Sequence, residues 1–429
     1  MLTWTRRIPE NNPLRGLVAE HGEEFLATAF NGGAPRFIRT AMARFLECGK
    51  DLVWGKLHCR DCNIFVPIAK SCKARQICFS CTRRVALATS KQWIERLFPR
   101  VPFRHWVISY PLELNLKLAN RPEMISKVEA AVGKVLRKWT ERGTRKVMTG
   151  GIMVRHRYGS RLQVLIHTHV LMADGCIDRY PPDELKNDGL DERDMAHIAG
   201  KLFDSPPFIR SQNLNLESLK EIAADLHATL EKIAKKEGIN LSKSTSDSEP
   251  DLPPTGFATR HKGLHLAVSH PIEDGEDLER VCQYLLRPAI NPHRVRKVND
   301  DEYTYLLDKK LDSGEKTLRF HPHDLLKIIA SIIPKGGMPT RRYFGFLAAT
   351  SPYRKVLHTF GRYGSPPPTR THVSTGNGYS DIPFPELLKE TFGIDARACP
   401  VCGKCMKFWQ PPPQPKAVDE RATSPPPGG

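Results

Sequence analysis

The chain has 429 residues, with 65 Lys and Arg against 47 Asp and Glu, and a formal net charge of +18. That length suits two or three domains able to bury real cores, and so basic a balance points to a polyanionic partner, because Lys and Arg gain by displacing counterions from phosphates. No stretch approaches the ~20 apolar residues of a membrane helix, the opening Met1-Leu2-Thr3-Trp4 does not read as a signal peptide, and eleven Cys, many in pairs two residues apart, favour metal over disulfides in a reducing, cytoplasmic setting.

In chain order, Phe25 to Gly49 reads as one helix with apolar spacing and several Arg. Cys48 to Cys81 is Cys-rich, and Ala86 to Leu97 reads as an exit helix. The first 110 residues carry 18 Lys and Arg against 8 Asp and Glu, so the basic character is concentrated there. Phe103 to Tyr110 alternates like a strand that Pro111 stops. Glu123 to Arg142 has helical periodicity, with Ile125, Val128, Val132, Val135, Leu136 and Trp139 on one side. Two strands, Gly151 to Arg157 and Leu162 to Met172, are joined by a turn at Tyr158-Gly-Ser-Arg161. Leu219 to Lys236 reads as a helix and Ser242 to Thr255 as a linker. A strand (Gly263 to Val268), a helix (Asp277 to Arg287), a strand (Tyr303 to Leu307) and a helix (Pro322 to Ile333) follow. Cys399 to Cys405 form a small cluster one ligand short of a zinc set, and the Pro-rich end of the chain reads as disordered.

Cys59-Arg-Asp-Cys62 and Cys78-Phe-Ser-Cys81 have the spacing of a zinc ribbon. Two Cys three positions apart hold two corners of a tetrahedron from one tight turn, and two such turns close the site. Cys48 and Cys72 read as ordinary buried thiols, with a further site as the alternative. Lys50, Lys56, Arg60, Lys70, Lys73, Arg75, Arg83 and Arg84 around the segment suit a structural module that grips nucleic acid.

In the run Leu162 to Met172, side chains alternate faces, so His167 and His169 share one face and make a pair of ligands for a divalent metal. His-x-His alone also fits two hydrogen-bonded core histidines. In the helix from Asp277, Leu278, Cys282, Leu285 and Leu286 form the apolar face and Tyr284 lies off it. Its surface neighbours Arg280 and Arg287 are placed to pair with phosphate oxygens while a phenolate attacks.

Several phrases together resemble the rolling-circle insertion-sequence transposases with an N-terminal zinc-binding domain, those of insertion-sequence common regions included. They are Cys48-Gly, Cys59-x-x-Cys62, Ser71-Cys72-Lys73, Cys78-x-x-Cys81 and the stretch Pro99 to Ser109. Next come Gly159-Ser-Arg-Leu162 with His167-Thr-His169 and Asp174-Gly175, then Leu278-Glu-Arg-Val-Cys-Gln-Tyr284-Leu-Leu-Arg-Pro288. Tyr343-Phe-Gly-Phe-Leu-Ala348 and Cys399-Pro-Val-Cys402-Gly403 complete the set. The resemblance implies an α+β fold of the His-hydrophobic-His (HUH) nuclease type. An antiparallel sheet with packed helices follows a helical, zinc-ribbon N-terminal domain. It implies a catalytic Mg²⁺ or Mn²⁺ on His167 and His169, with His265 as a candidate third ligand, and structural Zn²⁺ on Cys59, Cys62, Cys78 and Cys81. Tyr284 would be the nucleophile, giving a 5′-phosphotyrosine on single-stranded DNA, with Arg280 and Arg287 on phosphates.

The expected divisions are residues 1–98 for the zinc domain, 99–360 for the nuclease, 361–408 for a C-terminal extension and 409–429 for a tail. The expected partner is DNA, chiefly single-stranded element ends, near the nucleoid and with no membrane. Self-association is left open. The sequence departs from the pattern at Thr168, where an apolar residue is usual, and at Phe344, where His is frequent. Arg280 and Pro288 stand four residues either side of Tyr284, so a single tyrosine is expected. A relaxase or replication initiator with the same chemistry, a non-catalytic zinc-dependent DNA-binding protein and an inactive copy are the alternatives.

Overall fold

The computed structural model describes residues 12–31, 33–49, 53–69, 71–74, 76–143, 146–179, 190–203, 208–241, 256–311, 313–335, 339–359 and 395–409. In chain order these form α1 (Pro13–Thr28), α2 (Arg36–Glu47), β1 (Val53–Cys59), β2 (Ile64–Ala69), α3 (Phe79–Arg96), β3 (Phe103–Ser109), α4 (Leu112–Asn120) and α5 (Pro122–Thr140). Then come β4 (Val147–Met148), β5 (Gly150–Tyr158), β6 (Val164–Ala173), β7 (Gly175–Asp178), α6 (Glu192–Phe203), β8 (Ile209–Arg210) and α7 (Leu216–Lys236). The remainder is β9 (Phe257–His261), β10 (Leu264–Val268), α8 (Gly275–Leu285), β11 (Val295–Lys297), β12 (Tyr303–Leu306), β13 (Thr317–Phe320), α9 (Pro322–Ile332), β14 (Arg341–Gly345), α10 (Arg354–Thr359) and β15 (Lys407–Trp409). Helices and antiparallel sheets together make the expected α+β class. The linker expected at 242–255 and the tail from 410 lie outside the described residues.

The chain divides into two units. One takes in the described residues of 47–72 and 395–409, and the other those of 12–46 and 73–359. The expected boundaries at 98 and 360 do not follow this division. In the larger unit, an antiparallel six-stranded sheet has the order β14-β5-β6-β3-β10-β9. Its central strands are rich in β-branched residues, which pack well on a pleated surface. One face buries Trp106, Ile108, Ile166 and Val170 against Leu118 of α4, Ile125 and Val132 of α5, and Leu226 of α7. The other face buries Ile152, Val154 and Leu171 against Trp93 of α3, Leu278, Cys282 and Leu285 of α8, and Val356 of α10. Each such side chain contributes about 1.5–3 kcal/mol on burial, so both faces hold the strands in register.

The single helix expected over Phe25 to Gly49 is corrected. Asn31 takes a left-handed φ of 47°, and Pro35 precedes Arg36. Both break the helical ladder, leaving α1 and α2. Helix α4 was not expected after Pro111; the proline serves as its N-cap.

In the smaller unit, β15-β1-β2 form an antiparallel sheet. Its buried core is Cys59, Cys399 and Met406, with Leu57, Cys62, Ile64 and Val66 packed against them. So few apolar groups make a weak core.

Candidate active site and metal centres

His167 and His169 both project from β6 onto the face that carries α8, as strand alternation requires. Each is buried. Strand pairing then decides what stands beside them: His156 of β5 lies directly opposite His167, and Ser109 of β3 lies on its other side. One ligand atom from each of His156, His167 and His169 lies within 4.8 Å of the other two.

The hydrogen bonds orient these rings. His156 Nε2–H donates to the carbonyl of Leu285, at the end of α8, at 2.8 Å. Its Nδ1 is therefore the lone-pair nitrogen, and that atom is buried with no hydrogen-bond partner among the described residues. His167 Nδ1–H donates to Leu165 O at 3.1 Å, which puts its lone pair on Nε2. His169 Nδ1 is joined to His105 Nε2 at 2.9 Å, and its buried Nε2 has no such partner. Burial holds the His156 and His169 imidazoles well below their usual pKa, and the neighbouring imidazoles push the same way. Burial, then His167, lowers His105 to about 4. Neutral imidazoles are the form that binds metal. On the far face, Asn115 clamps β6 by both accepting from and donating to the backbone of Ile166.

His265, the expected third ligand, is not in this group. It lies on β10 opposite Ser109, which separates it from His167 by a whole strand. His156 stands in the group instead. That residue could be found from sequence only by fixing the register of the β5–β6 hairpin, and a bulge between His156 and Tyr158 shifts it.

Tyr284 sits in the last turn of α8, which begins at the N-cap Asp274. Its ring centroid is 5.7 Å from that of His169 and 6.1 Å from that of His105. The Arg287 guanidinium lies over the Tyr284 ring, with Cζ 4.3 Å from its centroid. Arg280 is exposed and paired with Asp277. Thr168 points to the opposite face, where its hydroxyl meets that of Tyr110 at 2.6 Å. The polar substitution in the motif is thereby satisfied in the core. Phe344 pairs with Gly151, and a Cβ there would meet its ring at 2.5 Å, so this aromatic fills space that glycine leaves.

The cysteines group differently from the expected ribbon. Cys59 and Cys62 lie with Cys399 and Cys402, their sulfurs all within 4.8 Å. Cys78 and Cys81 are not in this set. The ribbon of Cys59, Cys62, Cys78 and Cys81 is therefore corrected: Cys59 and Cys62 meet Cys399 and Cys402 instead, while Cys48 and Cys72 are buried. Cys59 Sγ and Cys402 Sγ are 3.6 Å apart. Tetrahedral Zn–S bonds of ~2.3 Å require an S···S edge of roughly 3.8 Å, which the set fits. The Cys402 N–H, bonding to Cys399, brings that thiol down to about 7, while the adjoining Cys402 thiol holds Cys62 up to about 12. Sulfurs this crowded share negative charge poorly without a cation among them.

Two family models match the chain. One, described as "Transposase zinc-binding domain", covers residues 17–110. The other, described as "Putative transposase", covers residues 150–355. The chain belongs to the IS91-like transposases with an N-terminal zinc-binding domain. No curated protein and no solved structure matches it. The transposase match contains His156, His167, His169 and Tyr284. Cys399 and Cys402 of this transposase fall outside both matches. No helix among the described residues is long and apolar enough to cross a membrane.

Proposed function

We propose that this transposase nicks and rejoins single-stranded DNA in the cytoplasm by rolling-circle transposition, with Tyr284 as the nucleophile. The observation that carries the reading is the convergence of three buried imidazoles beside a partly buried tyrosine on the helix that packs over them. His156, His167 and His169 would hold the divalent cation through Nδ1, Nε2 and Nε2. Three nitrogen donors suit Mn²⁺ better than the oxygen-preferring Mg²⁺. When bound, the cation withdraws charge from a non-bridging oxygen of the scissile phosphate.

The protein's own groups do the rest. His105 accepts the Nδ1 proton of His169, so that His169 Nε2 keeps its lone pair. Tyr284 Oη attacks phosphorus; the new O–P bond leaves a 5′-phosphotyrosine, and the broken P–O bond leaves a 3′-OH. Arg287, against the Tyr284 ring, offsets charge on the phenolate. Arg280 can turn from Asp277 to a backbone phosphate, since an exposed pair is worth ~1 kcal/mol or less. Zn²⁺ on Cys59, Cys62, Cys399 and Cys402 would have a structural role, because four sulfur ligands leave no open position.

The test is a covalent adduct on a denaturing gel, using labelled single-stranded DNA carrying the element's terminus and Mn²⁺ or Mg²⁺. The parent forms the adduct, and Tyr284→Phe forms none. Tight DNA binding without any adduct would replace this reading with a zinc-dependent DNA-binding protein. An adduct surviving Tyr284→Phe would move the nucleophile elsewhere. Tyr303 and Tyr305, the next tyrosines in the chain, are buried on β12 of a separate sheet.

A further inference from the structure

We propose that the outer face of the β15-β1-β2 sheet is a stacking platform for the bases of single-stranded DNA. Register builds the face. Lys56 pairs with Trp409, and His58 pairs with both Lys407 and Phe65. These two rows alternate with the row of Leu57, Val66 and Phe408. Residues in alternate rows share a side of the sheet, so Lys56, His58, Phe65, Lys407 and Trp409 stand together. Leu57 and Val66 point the other way and pack on the cysteine core.

The rings form one continuous surface. His58 stacks on Phe65 with centroids 4.3 Å apart and planes at 12°, and Phe65 meets Trp409 edge-on at 5.4 Å. His58 Nε2 is held by Asn63 Oδ1 at 3.2 Å, which fixes the ring. Phe65 is 46% exposed and Trp409 38%. Lys56 Nζ lies 5.9 Å from the Phe65 ring centroid, and Lys407, paired with His58, is exposed.

Charge and shape together select the occupant. Adjoining aromatic rings left open to water on a small sheet mark a binding face. Lysines border them, and neither row contributes an acidic side chain. Asp61, the nearest carboxylate in sequence, is paired with Lys404 at 2.7 Å. A ring face flanked by ammonium groups is complementary to a nucleobase joined to phosphate. A duplex hides its base faces, so an unpaired strand is the form that fits. The platform rests on the reading of this transposase as an enzyme of single strands, but it lies on other residues than Tyr284 and the histidines and is tested without cleavage.

The full-length, zinc-loaded protein would be titrated into labelled oligothymidylate, and into an abasic deoxyribose-phosphate strand of equal length, by fluorescence anisotropy. Phe65→Ala/Trp409→Ala should lose about tenfold or more of its affinity for oligothymidylate and keep its affinity for the abasic strand. Phe65→Tyr/Trp409→Phe should restore binding. Lys56→Ala/Lys407→Ala should weaken both strands alike and flatten the salt dependence. Zinc content is measured on every variant, and if the double alanine loses metal, Trp409→Ala alone is read by the same criteria. Photo-crosslinking of a halogenated strand to the unmutated protein should label peptides of β1, β2 or β15. Unchanged oligothymidylate affinity at parental zinc content overturns the platform, as does an equal loss on the abasic strand. The adduct assay at saturating DNA reports separately on Tyr284, so a platform that binds beside a missing adduct would sink only the nuclease reading.

Discussion

Two clusters of side chains that could hold a metal, one of histidines and one of cysteines, stand in opposite relations to the structure around them. His156, His167 and His169 sit on adjacent central strands of a six-stranded sheet covered by helices on both faces. That sheet would stand without any metal. Cys59 ends β1, Cys62 lies in the turn after it and Cys399 and Cys402 precede β15, beside a small sheet whose buried core is Cys59, Cys399 and Met406. In the first case the fold places the ligands; in the second the ligands hold the fold. A catalytic centre can exchange its ion without risk to the scaffold, while a structural one cannot.

The largest expected effect tests the second half of that contrast. Chelation, or Cys399→Ser, should remove on the order of 10 kcal/mol of metal-linked stability from the small unit. Hydrogen exchange should then show β1, β2 and β15 unprotected while β3, β5 and β6 stay protected. Retained protection in β1 would mean that the cluster does not support the sheet. Next, His167→Ala/His169→Ala should abolish adduct formation, a loss beyond the ~100-fold typical of an outer-shell ligand partner. The thermal transition of the larger unit should persist, and its collapse would show that the imidazoles are part of the scaffold.

Acid should separate the two clusters further. His105 titrates near 4 in the folded protein, below the ~6.5 of an unfolded histidine. The folded state therefore binds fewer protons between these values. Its stability is full above pH 6.5 and declines as pH falls toward 4, by on the order of 3 kcal/mol in the metal-free protein. Denaturant midpoints measured across that window check this, and His105→Asn should flatten the slope. The same residue gives a smaller catalytic effect. His105→Ala should lower adduct formation about 10–100-fold, with partial recovery at high Mn²⁺, as befits a positioning residue. Arg280→Ala should be mildest, within about 1 kcal/mol in stability, and should weaken DNA binding at low salt more than at high salt.

What could be read from sequence follows the range of the interactions. His167 and His169 share a face because of a two-residue period, whereas Tyr284, expected off its helix's apolar face, packs partly buried against the same core as Leu278, Cys282 and Leu285. The first is a local fact. His156 depends on strand register, which a single bulge resets. His265 was a candidate for lying on a strand shortly before the tyrosine helix; it shares the row, but adjacent strands lie ~4.8 Å apart and Ser109 stands between. The cysteines erred for another reason. Spacing finds the two-residue turns that supply ligand pairs but does not say which pairs meet, and here Cys59 and Cys402 come together across 343 positions. The stacking face escaped because β15 is three residues long and lends its lysine and tryptophan to a hairpin far upstream.

That separation has a consequence during synthesis. A ribosome adds about 5–20 residues per second, so the 343 positions from Cys59 to Cys402 take roughly 20–70 s to make. Throughout that interval the first hairpin has two of its four sulfurs and no third strand. Any product ending before residue 399 keeps those thiols open for good, exposed to oxidation, to stray metals and to the proteases that clear unfinished chains.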